Sequence, residues 1–192
     1  MGEAKAWKVT DKELLERIKE NPSEFSVLFR EYYRMIFGYI FRRTADFDIT
    51  RDIVAETFIK AFQNIRYFNY RGTAIKVWLY RIATNEANGY FRRKKITERH
   101  LERITDGSEK FNQYIEDDRK NLETELHKHD QYLSILVQMK TLPVRYQEVL
   151  SLRYFEGKTN PEISEILGKK EGTVKSLISR GLEILRRKCN EI

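Results

Sequence analysis

Apolar residues recur at helical spacing along most of the chain, and the first run of this pattern covers about a hundred residues. Thr10 and Glu13 are spaced as a capping box, which predicts the start of a short helix that ends near Asn21 and Pro22. Ser23 is predicted to cap the second helix. That helix carries a wide apolar stripe, made of Phe25, Leu28, Phe29, Tyr32, Tyr33, Ile36 and Ile40.

Two more helices complete this first group. The third is predicted from about Thr50 to Ile65, and the fourth from about Thr73 to Arg99. Their apolar faces consist of Ile53, Val54, Phe58, Ala61 and Phe62 in the third helix, and of Ile75, Trp78, Leu79, Ile82 and Ala83 in the fourth. Four helices of this kind predict one compact helical domain over residues 1–97.

The next stretch, residues 98–121, breaks the helical pattern. It reads "ERHLERITDGSEKFNQYIEDDRKN", which is polar, mixed in charge and poor in apolar residues spaced for burial. We therefore expect a flexible linker here.

A second helical group is predicted over residues 122–192. One helix runs from about Leu122 to Lys140, with its apolar face at Leu126, Leu133, Leu136 and Val137. Pro143 opens the next helix, which Gly157 ends. Thr159 and Glu162 form a second capping box, and the helix that follows stops at Gly168. The sequence thus predicts an all-α fold, with two small helical domains joined by a flexible linker.

The last two predicted helices have the layout of a helix-turn-helix, a short helix followed by a turn and a longer helix. Three apolar residues of the short helix are expected to pack on three of the long one, namely Ile163, Ile166 and Leu167 on Val174, Leu177 and Ile178. Four polar residues would then face a DNA major groove, namely Lys175, Ser176, Ser179 and Arg180. Thr159 and Asn160, at a helix N-terminus, suit a backbone phosphate. The same spacing also fits a small bundle with lysines outside for solubility, although DNA binding is favoured.

The charge of the chain favours an anionic partner. The formal net charge is +7 and the sequence pI is about 9.4. Between Arg71 and Arg103 there are nine Lys or Arg residues against three Asp or Glu residues. Aromatic residues are interleaved with these cations, a mixture that suits stacking on single-stranded nucleic acid. Trp78 also lies on the apolar stripe, so a position in the core explains it as well.

Several classes of function are disfavoured. Cys189 is the only cysteine, which excludes an internal disulfide framework and a cysteine-based zinc site. The sequence has no signal-peptide pattern and no apolar run long enough to span a membrane, so we expect a cytoplasmic protein. Because there is no glycine-rich phosphate loop and no nucleophile–base arrangement, we expect neither an enzyme nor a cofactor. A helical adaptor that binds only proteins is disfavoured by the concentrated positive charge.

Residues 141–189 resemble a known family of transcription proteins. The segment "LPVRYQEVLSLRYFEGKTNPEISEILGKKEGTVKSLISRGLEILRRK" is similar to region 4 of the extracytoplasmic-function (ECF) sigma factors of bacterial RNA polymerase. It is also similar to the helix-turn-helix of response regulators and quorum-sensing activators. This half of the chain therefore leaves both families open.

Residues 23–97 resemble sigma region 2. The resemblance rests on Asp52-x-x-x-Glu56-x-Phe58, followed by Trp78-Leu79-Tyr80-Arg81-Ile82-Ala83-x-Asn85. It implies a sigma factor that binds RNA polymerase core and directs promoter recognition and transcription initiation. The alternative is a one-component or response-type regulator that binds duplex operators and is not a polymerase subunit.

The resemblance also implies roles for individual residues. Binding of the promoter −10 strand falls to Tyr70, Arg71, Gly72, Lys76, Trp78, Arg81 and Asn85. Binding of the clamp helices of the polymerase β′ subunit falls to Asp52, Glu56, Phe58 and Ile59. The −35 element is assigned to Lys175, Ser176, Ser179 and Arg180, with Thr159, Asn160 and Thr173 on the DNA backbone. Members of the family are commonly inhibited by an anti-sigma factor, which is a further possible partner.

The sequence departs from the family pattern in the loop before Trp78. The stretch "YRGTAIKVW" is one residue shorter than the usual form and lacks its acidic residue. Promoter sequence preference therefore cannot be carried over from the family.

Overall fold

The computed structural model describes residues 10–68, 74–101 and 130–190, and within these ranges the chain forms α-helices and short helical turns, without strands. The all-α prediction is therefore confirmed. The helices are α1 (Asp11–Glu20), α2 (Phe25–Thr44), α3 (Phe47–Asn64), α4 (Ile75–Leu101), α5 (Asp130–Thr141), α6 (Val144–Leu150), α7 (Asn160–Leu167) and α8 (Glu171–Asn190). A π-helical turn over Ser151–Phe155 extends α6.

The predicted capping boxes are both present. The Thr10 amide donates to Glu13 Oε2 at 2.9 Å, and the Glu13 amide donates back to Thr10 Oγ1 at 3.3 Å. The same reciprocal pair joins Thr159 and Glu162 at the start of α7. Gly168 ends α7 with φ +62°, a left-handed conformation that glycine adopts without steric cost.

Ser23 does not cap α2, so that prediction is wrong. A 3₁₀ turn over Pro22–Glu24 precedes the helix, and Asn21 caps this turn by accepting a hydrogen bond from the Ser23 amide at 3.2 Å. The first residue of α2 is Phe25. Asn21 acts as the cap in place of Ser23 because its short side-chain amide can reach a backbone N–H two residues ahead.

The third helix starts three residues before the predicted Thr50. Asp46 caps it, because Asp46 Oδ1 accepts a hydrogen bond from the Ile49 amide at 3.0 Å. Ala45 ends α2 in the left-handed region, with φ +47°. Only two residues therefore separate α2 from α3, which fixes the two helices as packed neighbours.

The first four helices enclose the core that the apolar pattern predicts. Fully buried side chains come from every one of them, including Ile18, Leu28, Ile36, Ile40, Val54, Ala61, Ile75, Leu79 and Ala83. Three residues of the predicted apolar faces are exposed, and for these the prediction is wrong. Phe29 of α2 is 39% exposed. Phe62 is 48% exposed at the margin, where its ring meets Phe25 alone among the aromatic side chains described, and Val137 is 58% exposed on α5.

The C-terminal helices pack on the N-terminal ones. Helix α7 lies on α4, and α5 lies on α2. The buried side chains of both groups belong to one continuous apolar cluster, to which Met139, Leu150, Ile163 and Val174 contribute from the C-terminal side. The two groups, residues 10–101 and 130–190, are called the N-terminal and C-terminal halves below.

Candidate nucleic-acid interface

Helix α8 presents the polar face that the helix-turn-helix layout predicts. Val174 is fully buried beneath it, and Leu177 and Ile178 are partly buried. On the opposite side the structure exposes all four predicted base-reading residues, Lys175, Ser176, Ser179 and Arg180. Arginine, lysine and serine side chains at such positions can reach base edges and phosphates in a major groove.

The turn before α8 is held by short-range hydrogen bonds. The Lys169 amide donates to the Ser164 carbonyl at 3.1 Å, and Ser164 Oγ donates back to the Lys169 carbonyl at 2.5 Å. Ile163 and Ile166 of α7 are buried against the core beside α8. These contacts fix the angle between α7 and α8, so that the exposed face of α8 has a defined direction.

Thr159 and Asn160 are less open than predicted for phosphate contacts. The Thr159 amide and hydroxyl both donate to Glu162 Oε2, at 2.8 and 2.9 Å. The hydrogen bond from the Thr159 backbone is the main reason that the pKa of Glu162 lies below its usual value. Asn160 Oδ1 is buried without a hydrogen-bond partner. In this arrangement the Glu162 carboxylate already occupies the donors that a phosphate would use, whereas Thr173 is exposed.

Helix α4 exposes three of the residues assigned to the −10 strand, Lys76, Arg81 and Asn85. Trp78 is half-buried, with its ring 4.6 Å from the ring of Phe68. Because residues 78, 81 and 85 recur at helical spacing, they share one face of α4. Tyr70, Arg71 and Gly72 lie outside the described residues.

Helix α3 separates the four residues assigned to polymerase binding into two sets. Asp52, Glu56 and Ile59 are exposed, and the relative accessible surface of Ile59 is 50%. Phe58 is only 4% exposed, so it lies in the core and supports the surface from beneath. The ring of Phe29 packs 4.8 Å from that of Phe58.

Two aromatic residues near this face were missed by the sequence analysis. Phe29 is 39% exposed and Phe62 is 48% exposed, although the helical pattern had placed both on buried stripes. The pattern shows which face of a helix is apolar but not how far the neighbouring helix covers it. The apolar part of this surface is therefore larger than predicted.

The contact between the halves contains an ionic cluster that the sequence did not predict. Arg42 Nη1 of α2 donates to Glu156 Oε1 at 2.7 Å, and the Tyr80 hydroxyl of α4 donates to Glu156 Oε2. Burial and the nearby carboxylate raise the pKa of Tyr80. Lys158 Nζ lies 4.7 Å from the centre of the Tyr80 ring, and burial, with Lys76 nearby, lowers the pKa of Lys158.

A second polar chain crosses the same contact. The buried Arg43 donates through Nη2 to Asn88 Oδ1 at 2.6 Å, and Asn88 Nδ2 donates to Glu148 Oε2 at 3.0 Å. Lys169 Nζ lies 3.8 Å from the other oxygen of Glu148. Neighbouring arginines of α2 thus connect to two different carboxylates of the C-terminal half.

Neither a metal centre nor a membrane-spanning helix is found among residues 10–68, 74–101 and 130–190. No cluster of three or more His, Cys, Asp or Glu side chains there could hold a metal ion. Among those same residues, every helix is too short or too polar to cross a membrane.

Comparison with known proteins identifies two family regions. Residues 28–96 match the family model of sigma-70 region 2, and residues 132–185 match that of sigma-70 region 4. The first match covers α3 and most of α2 and α4, and the second covers α6, α7 and most of α5 and α8. A helix-turn-helix regulator outside the polymerase would have no reason to carry region 2, so the alternative left open by region 4 is removed.

Full-length relatives agree with these matches. The chain is 30% identical to the ECF RNA polymerase sigma-E factor of Haemophilus influenzae, over 97% of this chain and 99% of that one. It is also 30% identical to the ECF RNA polymerase sigma factor SigW of Bacillus subtilis, over 94% and 97% of the two chains. The fold resembles that of the sigma factor RpoE of Bartonella quintana, solved in complex with the anti-sigma factor NepR. That likeness has a TM-score of 0.66 and 19% identity, and covers 85% of this chain and 95% of RpoE. The chain therefore belongs to the ECF RNA polymerase sigma factors.

Proposed function

We propose that this sigma factor divides promoter recognition among three helices, with α3 binding polymerase core, α4 the −10 strand and α8 the −35 duplex. The observation that carries the proposal is the exposed polar face of α8 above the buried Val174. A helix held at a fixed angle, with cations and hydroxyls facing outward, has the form that major-groove readers share.

The surface on α3 supports a protein partner. The acidic side chains of Asp52 and Glu56 border the half-exposed Ile59, and Phe62 extends the apolar area. Exposed apolar groups bordered by charge are typical of protein interfaces. A basic, partly apolar coiled coil of the polymerase fits this chemistry.

The face of α4 supports a single-stranded partner. Arg81 and Asn85 are exposed beside the half-buried Trp78, which gives a cation, an amide and an aromatic edge in one row. Base stacking and phosphate attraction require this combination of side chains. Tyr70, Arg71 and Gly72 belong to the proposed site by family resemblance alone.

Three segments of the chain divide these roles. Residues 1–97 bind core and the −10 strand, residues 98–121 link the halves, and residues 122–192 bind the −35 element. The protein acts in the cytoplasm as a non-enzymatic subunit, since the polymerase supplies the chemistry. The proposed regulator is an anti-sigma factor that covers these surfaces, because the structurally similar RpoE of Bartonella quintana forms a complex with the anti-sigma factor NepR.

Run-off transcription tests the function. Purified core polymerase is mixed with this protein and a fragmented library of genomic DNA from its host, and the new RNA 5′ ends are sequenced. We expect a set of start sites that depend on the protein and share two sequence blocks at fixed spacing. Transcripts that are the same with and without the protein would contradict the proposal.

Arg180→Ala tests the recognition helix. If Arg180 contacts a base pair in bidentate fashion, its loss weakens binding to a promoter −35 duplex by about 1–3 kcal/mol, or roughly 5- to 150-fold, and relaxes the preference at one position. Arg187→Ala is the matched control, because Arg187 lies in the last turn of the same helix and pairs with Glu183. Fluorescence anisotropy with duplexes from the mapped promoters measures both. Equal affinities for Arg180→Ala and the parent would remove Arg180 from the site.

Ile59→Ala tests the surface on α3. Truncation of a central apolar side chain typically costs an interface about 1–2 kcal/mol, so the affinity for core should fall roughly 5- to 30-fold. Half of the side chain is already exposed, so the fold should lose little stability. Val137→Ala removes a similarly exposed apolar group, 58% exposed, from the other half and should leave core affinity unchanged. If Ile59→Ala left the affinity for core unchanged, the interface with the polymerase would have to lie elsewhere on the chain.

A further inference from the structure

We propose that Glu156 latches the two halves of the free protein together, and that this closed form competes with the −10 strand while leaving the −35 reading face open. The part about DNA rests on the proposed function; the latch itself does not. A sigma factor built in this way would open its −10 site only after the latch is released.

The position of Glu156 makes it a bridge. It follows the π-helical turn of the C-terminal half, and its side chain is only 8% exposed. One oxygen accepts from Arg42 of α2 and the other from Tyr80 of α4, so a single carboxylate fastens two helices of the N-terminal half. Hydrogen bonds to an ionised carboxylate are stronger than neutral ones, and burial strengthens them further.

The neighbours of Glu156 complete the closure. The guanidinium of Arg42 lies 5.4 Å from the centre of the Phe155 ring, and Lys158 covers the Tyr80 ring. Phe155, Glu156 and Lys158 are consecutive or nearly so, and all three engage the N-terminal half. The turn that contains Glu156 therefore brings three neighbouring side chains to the N-terminal half, beside the separate polar chain through Asn88 and Glu148.

The contact between the halves also includes a residue on the face of α4 that is assigned to DNA. Arg81 Nη2 donates to the backbone carbonyl of Glu165, near the end of α7, at 2.6 Å. A strand that runs along α4 from Trp78 to Asn85 must pass Arg81, so the strand and α7 compete for the same guanidinium. The four side chains of the α8 reading face remain exposed in the same structure.

A latch made of polar groups can be released by binding. When the halves separate, Arg42 and Glu156 regain water, so the polar part of the contact opens at little cost, and the remaining cost is the exposure of the shared apolar cluster. A ligand that binds the open form more tightly shifts the equilibrium by its differential affinity. Polymerase core and promoter strand are ligands of that kind under the proposed function.

Double electron–electron resonance on the full chain tests the latch. Spin labels are placed on the native Cys189, which is exposed and is the only cysteine, and on Gln63→Cys at the exposed end of α3. The doubly labelled parent should give one narrow distance distribution. Glu156→Gln should broaden it and add longer distances, since a neutral amide replaces the shared carboxylate.

Matched variants separate opening from misfolding. Tyr80→Phe removes one donor and keeps the ring, so it should give a smaller shift in the same direction. Glu24→Gln is the control, because Glu24 pairs with Arg17 within the N-terminal half and the same chemical change there should leave the distances unchanged. If Glu156→Gln loses its helical circular dichroism, it is misfolded, and the distance distribution of Tyr80→Phe alone tests the latch.

The measured distances and the transcription assay together separate failure of the latch from failure of the proposed function. A broad distribution in the parent, or distances in Glu156→Gln and Tyr80→Phe that equal those of the parent, would overturn the latch. A closed parent that opens on these substitutions but directs no transcription with core would support the latch and refute the proposed function. Under the full proposal, Glu156→Gln also binds a fluorescein-labelled single strand from a mapped −10 element several-fold more tightly, with −35 duplex affinity unchanged.

Discussion

At the scale of single residues, Glu162 shows how one carboxylate shapes the start of the helix-turn-helix. It accepts hydrogen bonds from both the amide and the hydroxyl of Thr159. These bonds favour the ionised form, so the pKa of Glu162 lies below the ordinary value of 4.5. A group whose pKa is depressed by folding stabilises the fold above its unfolded pKa, and this contribution is lost as the pH falls through the folded pKa.

We predict that Glu162→Gln, which keeps an acceptor for the capping box but removes the negative charge, lowers the free energy of unfolding at neutral pH by about 0.3–1 kcal/mol, the usual contribution of a charge near a helix N-terminus. It should also flatten the loss of stability that sets in as the pH falls below the ordinary pKa of 4.5, because the parent loses the contribution of this carboxylate there. Urea unfolding at a series of pH values measures both effects. Glu183→Gln, an exposed position on α8, controls for the loss of one negative charge. A variant with the pH dependence of the parent would contradict the prediction.

The residue scale also shows the limit of a periodic pattern. Phe58 and Phe62 are four residues apart on the same face of α3, and the helical spacing assigns them the same environment. The structure buries Phe58 among Phe25, Phe29 and Tyr33 but leaves Phe62 at the margin. Whether Phe58 or Phe62 is covered depends on where α2 begins relative to α3. Tertiary packing determines that position, and the spacing of apolar residues does not.

At the scale of elements, two glycines of α8 experience opposite surroundings. A Cβ added to Gly172 would meet nothing within 4 Å, whereas one added to Gly181 would lie 3.2 Å from Leu150 Cδ1 and 3.3 Å from Tyr146 Cβ. Gly181 therefore lets α8 approach α6 closely. Gly172 has no such packing role.

We predict that Gly172→Ala stabilises the protein by a few tenths to about 1 kcal/mol, because alanine has the higher helix propensity. Gly181→Ala should be destabilising, because the gain in propensity is offset by about 1–3 kcal/mol of overpacking against α6. Chemical denaturation of both variants beside the parent measures the difference. Equal stabilities for the two variants would show that α6 moves aside freely.

The start or end of a helix was predictable where residues within one turn determine it. Both capping boxes and the glycine that ends α7 could be read from the sequence, because each depends on residues within one turn. The start of α3 was missed because Ala45 adopts a left-handed conformation that its residue type disfavours. The π-helical turn after α6 had no signal in the apolar spacing.

At the scale of the whole molecule, the sequence predicted two helical groups but not their contact. Arg42, Tyr80 and Glu156 are far apart in sequence, and each alone reads as an ordinary surface or stripe residue. The shared apolar cluster is likewise a property of the assembled chain. The exposure of the four residues proposed for the −35 element could be predicted from one helix, whereas the contact between the halves required the complete fold.

This shared core implies that the two halves unfold together. In a Trp7→Phe background, Trp78 fluorescence reports the N-terminal half, and a dye on Cys189 reports the C-terminal half. We predict that the two urea transitions coincide in the parent, because unfolding either half exposes the buried cluster of the other. Glu156→Gln should lower the coupling by about 1–3 kcal/mol, the range for weakening a buried charged hydrogen bond, and separate the midpoints. Glu24→Gln should keep them together. Transitions that already differ in the parent would mean that the halves are independent in solution, and the contact between α4 and α7 would then add nothing to stability.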